Sequence, residues 1–171
     1  MSPLRTNQMQ ALAALEALYQ QEMPHPDSSL FQAACYHFQN PGKSFRAQLA
    51  LTSGIALGLN EQDNLYWAAA CELLHNASLI HDDISDASTH RRGQESIHQQ
   101  FGSDMALCLG DWMVAKAFEL SARNRNFGGR LTALLAQAMQ ETCSGQMADI
   151  SQRQCAELED WQRIAKGKTA P

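Results

Sequence analysis

Three aspartates within five residues, Asp82, Asp83 and Asp86, are the part of this sequence best suited to chemistry. On a helix, Asp82 and Asp86 stand one turn apart and face the same way. Carboxylates at that separation suit a hard cation such as magnesium, which keeps several waters and bridges to phosphate oxygens. The competing reading is a solvated acidic helix end. The residues before the cluster argue against it, because Trp67 to Ile80 is apolar almost all round and such a helix belongs in the middle of a bundle. At about 100° per residue, Glu72, His75, Asp82 and Asp86 fall on one side of it. A polar stripe on a buried helix needs partners or a wet cavity. Acids at a helix C-terminus also meet the unfavourable end of the helix dipole, which a bound cation offsets.

Four further stretches carry weaker signals. In His90-Arg91-Arg92-Gly93, two guanidiniums are able to fork onto phosphate oxygens. Taken alone, the stretch reads better as a helix C-cap, which cations and glycine both suit. Gly42-Lys43-Ser44-Phe45-Arg46 opens a predicted helix, where free N–H groups and two cations make an anion site. Its spacing is not that of a Walker loop, and a plain loop with two exposed cations is the alternative. Gly145-Gln146-Met147-Ala148-Asp149 lies inside a predicted helix with Gln146 and Asp149 on one face. A helical glycine costs about 1 kcal/mol against alanine, so Gly145 points to close packing or ligand approach. Gly110-Asp111 invites the same two readings, with packing favoured. Lys166-Gly167-Lys168-Thr169 is by itself a polar chain end.

The elements that must position these residues are helical throughout. Ala, Leu, Gln, Glu and Met dominate, with no run of alternating β-branched residues. Helices are predicted over Leu4–Glu22, Ser29–Phe38, Phe45–Leu59, Glu61–Asp86, Ser103–Arg125, Gly129–Gln152 and Glu157–Lys166. Breakers at Pro24, Pro26, Pro41-Gly42, Asn60, Arg91-Arg92-Gly93, Gly102 and Gly128-Gly129 separate them. The reading is a single helical domain over residues 1–171, long enough for a sizeable core. Net charge is -5 with no basic block, which argues against nucleic acid as a partner. Five scattered cysteines, Cys35, Cys71, Cys108, Cys143 and Cys155, and no visible targeting segment read as reduced thiols in the cytoplasm. No apolar run approaches the roughly 20 residues of a membrane span.

In their order and spacing these motifs resemble the trans-type prenyl diphosphate synthases, the polyprenyl synthetase family. Ser78-Leu79-Ile80-His81 leading into the aspartates, then Arg91-Arg92-Gly93, carries most of the likeness. Gly42-Lys43-x-x-Arg46, Glu72-Leu73-Leu74-His75, Phe101-Gly102, Leu109-Gly110-Asp111, Gly145-Gln146 with Asp149, and Lys168-Thr169 follow the family order. The resemblance implies an all-α bundle around a central cavity, of the isoprenoid synthase type. It implies a magnesium-dependent prenyltransferase that joins isopentenyl diphosphate to an allylic diphosphate, commonly as a homodimer. By the same resemblance Asp82 and Asp86 bind magnesium with Asp83 in support. Arg91, Gln146 and Lys168 meet the allylic diphosphate, and Lys43, Arg46, His75 and Arg92 hold isopentenyl diphosphate. Thr169 and Lys168 turn carbonyls toward the allylic cation. Ala77 and Ser78, one turn before Asp82, act as the floor of the product channel. Both are small, which implies a product longer than farnesyl diphosphate; the plainer reading is that they let a neighbouring helix pack closely.

The chain departs from the family pattern in three places. Ser44 stands where the clamp usually has another arginine, and Ala47 where it has a proline. No second Asp-Asp-x-x-Asp occurs in the 171 residues, so the bundle is expected to be incomplete, the N-terminal part of a synthase. A truncated or inactive subunit of a synthase is the alternative. Two rivals from other enzyme classes remain. A metal phosphohydrolase would use His81-Asp82 with His37 and Asp111. A di-iron bundle would use Glu72-x-x-His75 and Glu95-x-x-His98. Neither accounts for Lys43, Arg46, Arg91 and Arg92.

Overall fold

The computed structural model describes residues 3–40, 42–151 and 157–169, with side chains described from Met9 to Gly167 within those ranges. Pro41, Gln152 and Cys155, named above, lie outside the described residues. In chain order the elements are α1 (Pro3–Gln21), α2 (Leu30–Phe38), α3 (Phe45–Ala56) and α4 (Glu61–Ser85). Two short strands follow, β1 (His90–Arg91) and β2 (Gln94–Glu95), and then α5 (Ile97–Phe101), α6 (Ser103–Ala122), α7 (Gly128–Ser151) and α8 (Leu158–Thr169). All seven predicted helices are present, with ends displaced by at most three residues. The ribbon β1–β2 and the one-turn α5 were not expected from periodicity. The chain forms two compact units, Met1–Gly128 and Gly129–Pro171.

The first unit is built around α4. Asn60, expected only as a breaker, caps it: its side-chain oxygen accepts the N–H groups of Gln62 and Asp63 at 3.0 and 3.2 Å. Ala68, Ala69 and Ala70 are fully buried, and Leu73, Ala77 and Ile80 nearly so. The principal partner of α4 is α6, whose Ala106, Leu109, Met113, Ala117 and Leu120 have no exposed surface. Gly110 sits where α6 crosses α4, and a Cβ there would overlap the His81 ring. That accounts for this glycine by packing. The α3–α4 crossing has the same design, with Gly54 under the Asn64 amide, which donates to the Leu51 carbonyl at 3.0 Å. Glu22, just beyond α1, pairs with Lys116 of α6 and with Arg123, the residue that caps its end. Such partly exposed pairs contribute little each, so the apolar α4–α6 contact carries the fold.

The second unit is a pair of helices. A Cβ on Gly167 would stand 3.3 Å from the Cα of Gly145, so α7 and α8 cross closely at these two glycines. Leu135 and Ile164 are its buried apolar residues. Among the described residues, no helix is long and apolar enough to cross a membrane.

Candidate active site

The aspartate cluster occupies the last turn of α4. The Asp86 N–H donates to the Asp82 carbonyl at 2.8 Å, closing that turn. Asp86 is exposed, Asp82 half-buried, and Asp83 only 3% exposed. The three acids therefore divide by depth. Asp83 turns inward and meets Arg91, whose Nε donates to both carboxylate oxygens at 3.0 and 3.2 Å while Nη2 donates to Oδ1 at 2.5 Å. This pair holds the Arg91 guanidinium in its charged form, with Asp82 and Asp86 adding to the effect.

Arg91 is delivered by the β1–β2 ribbon, paired in antiparallel register His90↔Glu95 and Arg91↔Gln94. Its two-residue turn, Arg92-Gly93, has both residues in the left-handed region, φ 52° and 81°, as a hairpin of the I′ kind requires. The favoured reading of this stretch as a helix cap is thereby corrected. α4 ends at Ser85, and the chain needs the tight turn because it reverses at once onto α2. The Tyr36 hydroxyl donates to the Glu95 carbonyl at 3.1 Å, and Gln94 Nε2 donates to the Tyr36 carbonyl at 3.2 Å. Ser96 and His98 both donate to the Ser88 carbonyl, at 2.6 and 2.7 Å.

A non-glycine residue at positive φ costs roughly 1–2 kcal/mol and persists where its surroundings hold it. Arg92 is held. Its Nη1 donates to the Asn40 carbonyl at 3.0 Å and reaches the Asn76 side-chain oxygen at 3.4 Å. Its guanidinium lies over Gly42, where a Cβ would stand 2.8 Å from Cζ. The glycine of the α3 motif and the second arginine of the ribbon are thus in contact. Burial makes the Arg92 charge less favourable, and Glu72 opposes that effect.

His75 completes the cluster. Burial lowers its pKa to about 4, and Arg46, Arg92 and Arg91, in that order, lower it further. The imidazole is therefore neutral at pH 7 and surrounded by guanidiniums. Arg46 stands exposed in the first turn of α3, and Lys43, also exposed, follows Gly42. The structure brings Arg46, His75 and Arg92 together, with Arg91 the link from this group to the aspartates. Ser78 donates its hydroxyl to the His75 carbonyl at 2.8 Å, and Ala77 is 1% exposed. Gln146 belongs to the second unit, where both of its amide atoms are buried without a hydrogen-bond partner. The side chains of Lys168 and Thr169 lie outside the described residues.

Sequence reasoning missed Asn76 and considered His37 only for the rival phosphohydrolase. Asn76 is 3% exposed; its oxygen accepts from His37 Nε2 at 2.9 Å, and its Nδ2 donates to the Glu72 carbonyl at 2.8 Å. An amide inside an otherwise apolar helix was the available signal. Burial lowers the His37 pKa, so this ring is neutral as well. Two of the residues nominated for the rival metal centres, His81 and Asp111, stand 3.5 Å apart, but others are engaged in other ways. His37 is bonded to Asn76, His98 to Ser88, and Glu72 to the Ala47 N–H.

Half-buried Asp82 and exposed Asp86, with no basic residue in the last turn of α4, are carboxylates of the kind that would hold a magnesium ion taking its other ligands from water and phosphate. Among the described residues, no group of three or more His, Cys, Asp or Glu side chains is placed to hold a metal by itself.

Comparison with known proteins identifies the family. The family model for polyprenyl synthetase matches residues 27–171. The geranylgeranyl pyrophosphate synthase of Geoglobus acetivorans is 35% identical over 141 residues, covering 80% of this chain and 43% of that protein. The short chain isoprenyl diphosphate synthase of Methanocaldococcus jannaschii is 35% identical over 126 residues, covering 72% and 38%. The crystal structure of geranylgeranyl pyrophosphate synthetase from Pyrococcus horikoshii superposes with a TM-score of 0.84 at 31% identity, over 97% of this chain and 52% of that one. This chain spans about half the length of such relatives or less. Its fold is the all-α fold of isoprenoid synthases, and the chain belongs to the polyprenyl synthetase family.

Proposed function

We propose that this chain carries the diphosphate-binding machinery of a prenyltransferase that condenses isopentenyl diphosphate with an allylic diphosphate. The observation that carries the reading is the meeting of two motifs. The aspartate run at the end of α4, tied through Asp83 to Arg91, is linked by that arginine's ribbon to a cluster of Arg46, Arg92 and neutral His75, with Arg92 lying over Gly42.

In the proposed reaction the carbon–oxygen bond of the allylic diphosphate breaks and the diphosphate leaves with the electron pair. The alkene of isopentenyl diphosphate attacks the allylic cation, and a proton is lost from the product. Magnesium held by Asp82 and Asp86 supplies neutralising charge for the diphosphate. Arg91 retains Nη1 for a ligand while its other two nitrogens hold Asp83. Lys43, Arg46 and Arg92 bind isopentenyl diphosphate, and neutral His75 is a hydrogen-bond donor to it that needs no extra charge. The unpartnered amide of Gln146 supports a role in taking a polar ligand. Lys168 and Thr169 are proposed on the family pattern alone.

The remaining parts of the reading have narrower support. Small residues at Ala77 and Ser78 favour a product longer than farnesyl diphosphate. The burial of Ala77 makes Ser78 the better candidate for the channel floor. Homodimerisation is supported by apolar Leu107, 51% exposed on α6. Free thiols at Cys35, Cys71, Cys108 and Cys143 support a cytoplasmic setting.

The test is calorimetry with a non-hydrolysable allylic diphosphate analogue, with and without magnesium. Magnesium-dependent binding that is lost in both Asp82→Ala and Asp86→Ala supports the reading; unchanged affinity in both variants refutes it.

A further inference from the structure

The helix that presents Arg46 has no cap of its own. α3 begins at Phe45, and its N-cap residue Ser44 is left-handed, φ 44° and ψ 42°, with no side-chain cap bond. The first N–H groups of a helix lack partners within it. Ala47 is fully buried, so water cannot take its N–H, and a buried unpaired donor is costly. The acceptor comes from α4: Glu72 Oε2 accepts the Ala47 N–H at 3.0 Å across 25 residues of chain. Glu72 is itself 3% exposed. A carboxylate at a helix N-terminus meets the favourable end of its dipole, which helps explain how an acid sits in this core. Ala47 is one of the three departures from the family pattern noted above, and it supplies an N–H that a proline lacks.

We infer that Glu72 is a positioning residue for the proposed isopentenyl diphosphate site: its carboxylate acts as the missing N-cap of α3 and so fixes Lys43 and Arg46 against Arg92 and His75. The inference rests on the reading of that site given above. It has a sign that separates it from plain electrostatics. A buried negative charge beside an anion site weakens anion binding through space, so its removal alone should tighten binding. Loss of a positioning cap should weaken it. Glutamine at 72 keeps an oxygen acceptor for the Ala47 N–H and discards the charge.

The experiment is calorimetric titration of the full 171-residue chain with isopentenyl diphosphate, with helicity checked by circular dichroism. Glu72→Ala should weaken binding about 10-fold, about 1.4 kcal/mol, whereas Glu72→Gln should bind as tightly as the parent or more tightly. In an Ala47→Pro background the donor is gone, and Glu72→Ala should no longer weaken binding. Unchanged or tighter binding by Glu72→Ala overturns the inference, as does a loss in Glu72→Gln equal to that in Glu72→Ala. If Glu72→Ala does not fold, Glu72→Gln decides alone, and binding weakened more than about threefold overturns the inference. Failure of the parent chain to bind the ligand removes the site itself, and the role of Glu72 with it. Binding that Arg46→Ala and Arg92→Ala weaken while Glu72→Ala does not leaves the site standing and removes only Glu72.

Discussion

Arg91→Ala should destabilise the Met1–Gly128 unit more than Asp83→Ala does, although the two changes break the same ion pair. The asymmetry follows from depth: the Asp83 side chain is 4% exposed and that of Arg91 35%. Deleting Arg91 strands a buried carboxylate and removes its three hydrogen bonds. One-sided loss of a buried pair costs about 3–5 kcal/mol, and Arg91→Ala should fall in that range. Deleting Asp83 leaves a guanidinium that still reaches water through a third of its surface, so about 1–3 kcal/mol is expected. Replacing both, with Asp83→Leu and Arg91→Met, removes the desolvation cost together with the attraction and should return to within about 1 kcal/mol of the parent. The assay is urea denaturation followed by tryptophan fluorescence in a Trp161→Phe background, so that Trp67 and Trp112 report on this unit alone. A loss below about 1 kcal/mol for Arg91→Ala, or a smaller loss than for Asp83→Ala, would refute the reasoning.

The other expectations concern the outward side of the cluster. His75 has a folded pKa of about 4, below its ordinary 6.5, so between those values the unfolded chain binds more protons and stability falls as pH drops. Urea midpoints at about pH 7 and pH 5 should therefore differ more in the parent than in His75→Gln; an equal difference would count against a His75 pKa lowered by burial and the nearby guanidiniums. Asp86 is exposed, so Asp86→Ala should change stability by less than about 0.5 kcal/mol while abolishing magnesium-dependent binding of an allylic diphosphate analogue. The 171-residue polypeptide alone should be nearly inactive toward labelled isopentenyl diphosphate with farnesyl diphosphate and magnesium; turnover near about 1 s⁻¹ would contradict this. In a catalytically active polypeptide that joins this chain to a second aspartate-rich motif, Ser78→Phe should shorten the product if Ser78 floors the channel. Ala77→Phe is the poorer probe, since overpacking a buried alanine costs about 1–3 kcal/mol or more.

Most of the helical frame was legible because the periodicity of α4 and the breakers around it are strong local signals. The ribbon was not. Two-residue strands have no periodicity to read, and Arg92 adopts a left-handed turn conformation that its residue type does not favour. What specifies the turn is contact with distant groups, the Asn40 carbonyl, the Asn76 amide and Gly42. The wheel placed Glu72, His75, Asp82 and Asp86 on one side of α4 and so marked the site. It gave no means of separating Glu72, which is buried under α3, from Asp86, which faces water.

That separation changes how the acids should be regarded. With a net charge of -5, an anion-binding site requires that negative charge be neutralised locally rather than absent. Glu72 and Asp83 are buried and answered from inside the protein, one by the start of α3 and one by Arg91. Asp82 is half-buried and Asp86 exposed. On the proposed function a single run of aspartates would do two unlike jobs: Asp83 would anchor the ribbon that carries Arg92 to the site, and its neighbours would hold the cation. Loss of charge at 83 should be read first as loss of stability, with weaker binding as a consequence of a displaced ribbon. Loss of charge at 86 should be read as loss of binding in a chain that folds as before. If both variants instead lost binding at unchanged stability, the inward pair would have no structural role and Arg91 would be a ligand group only.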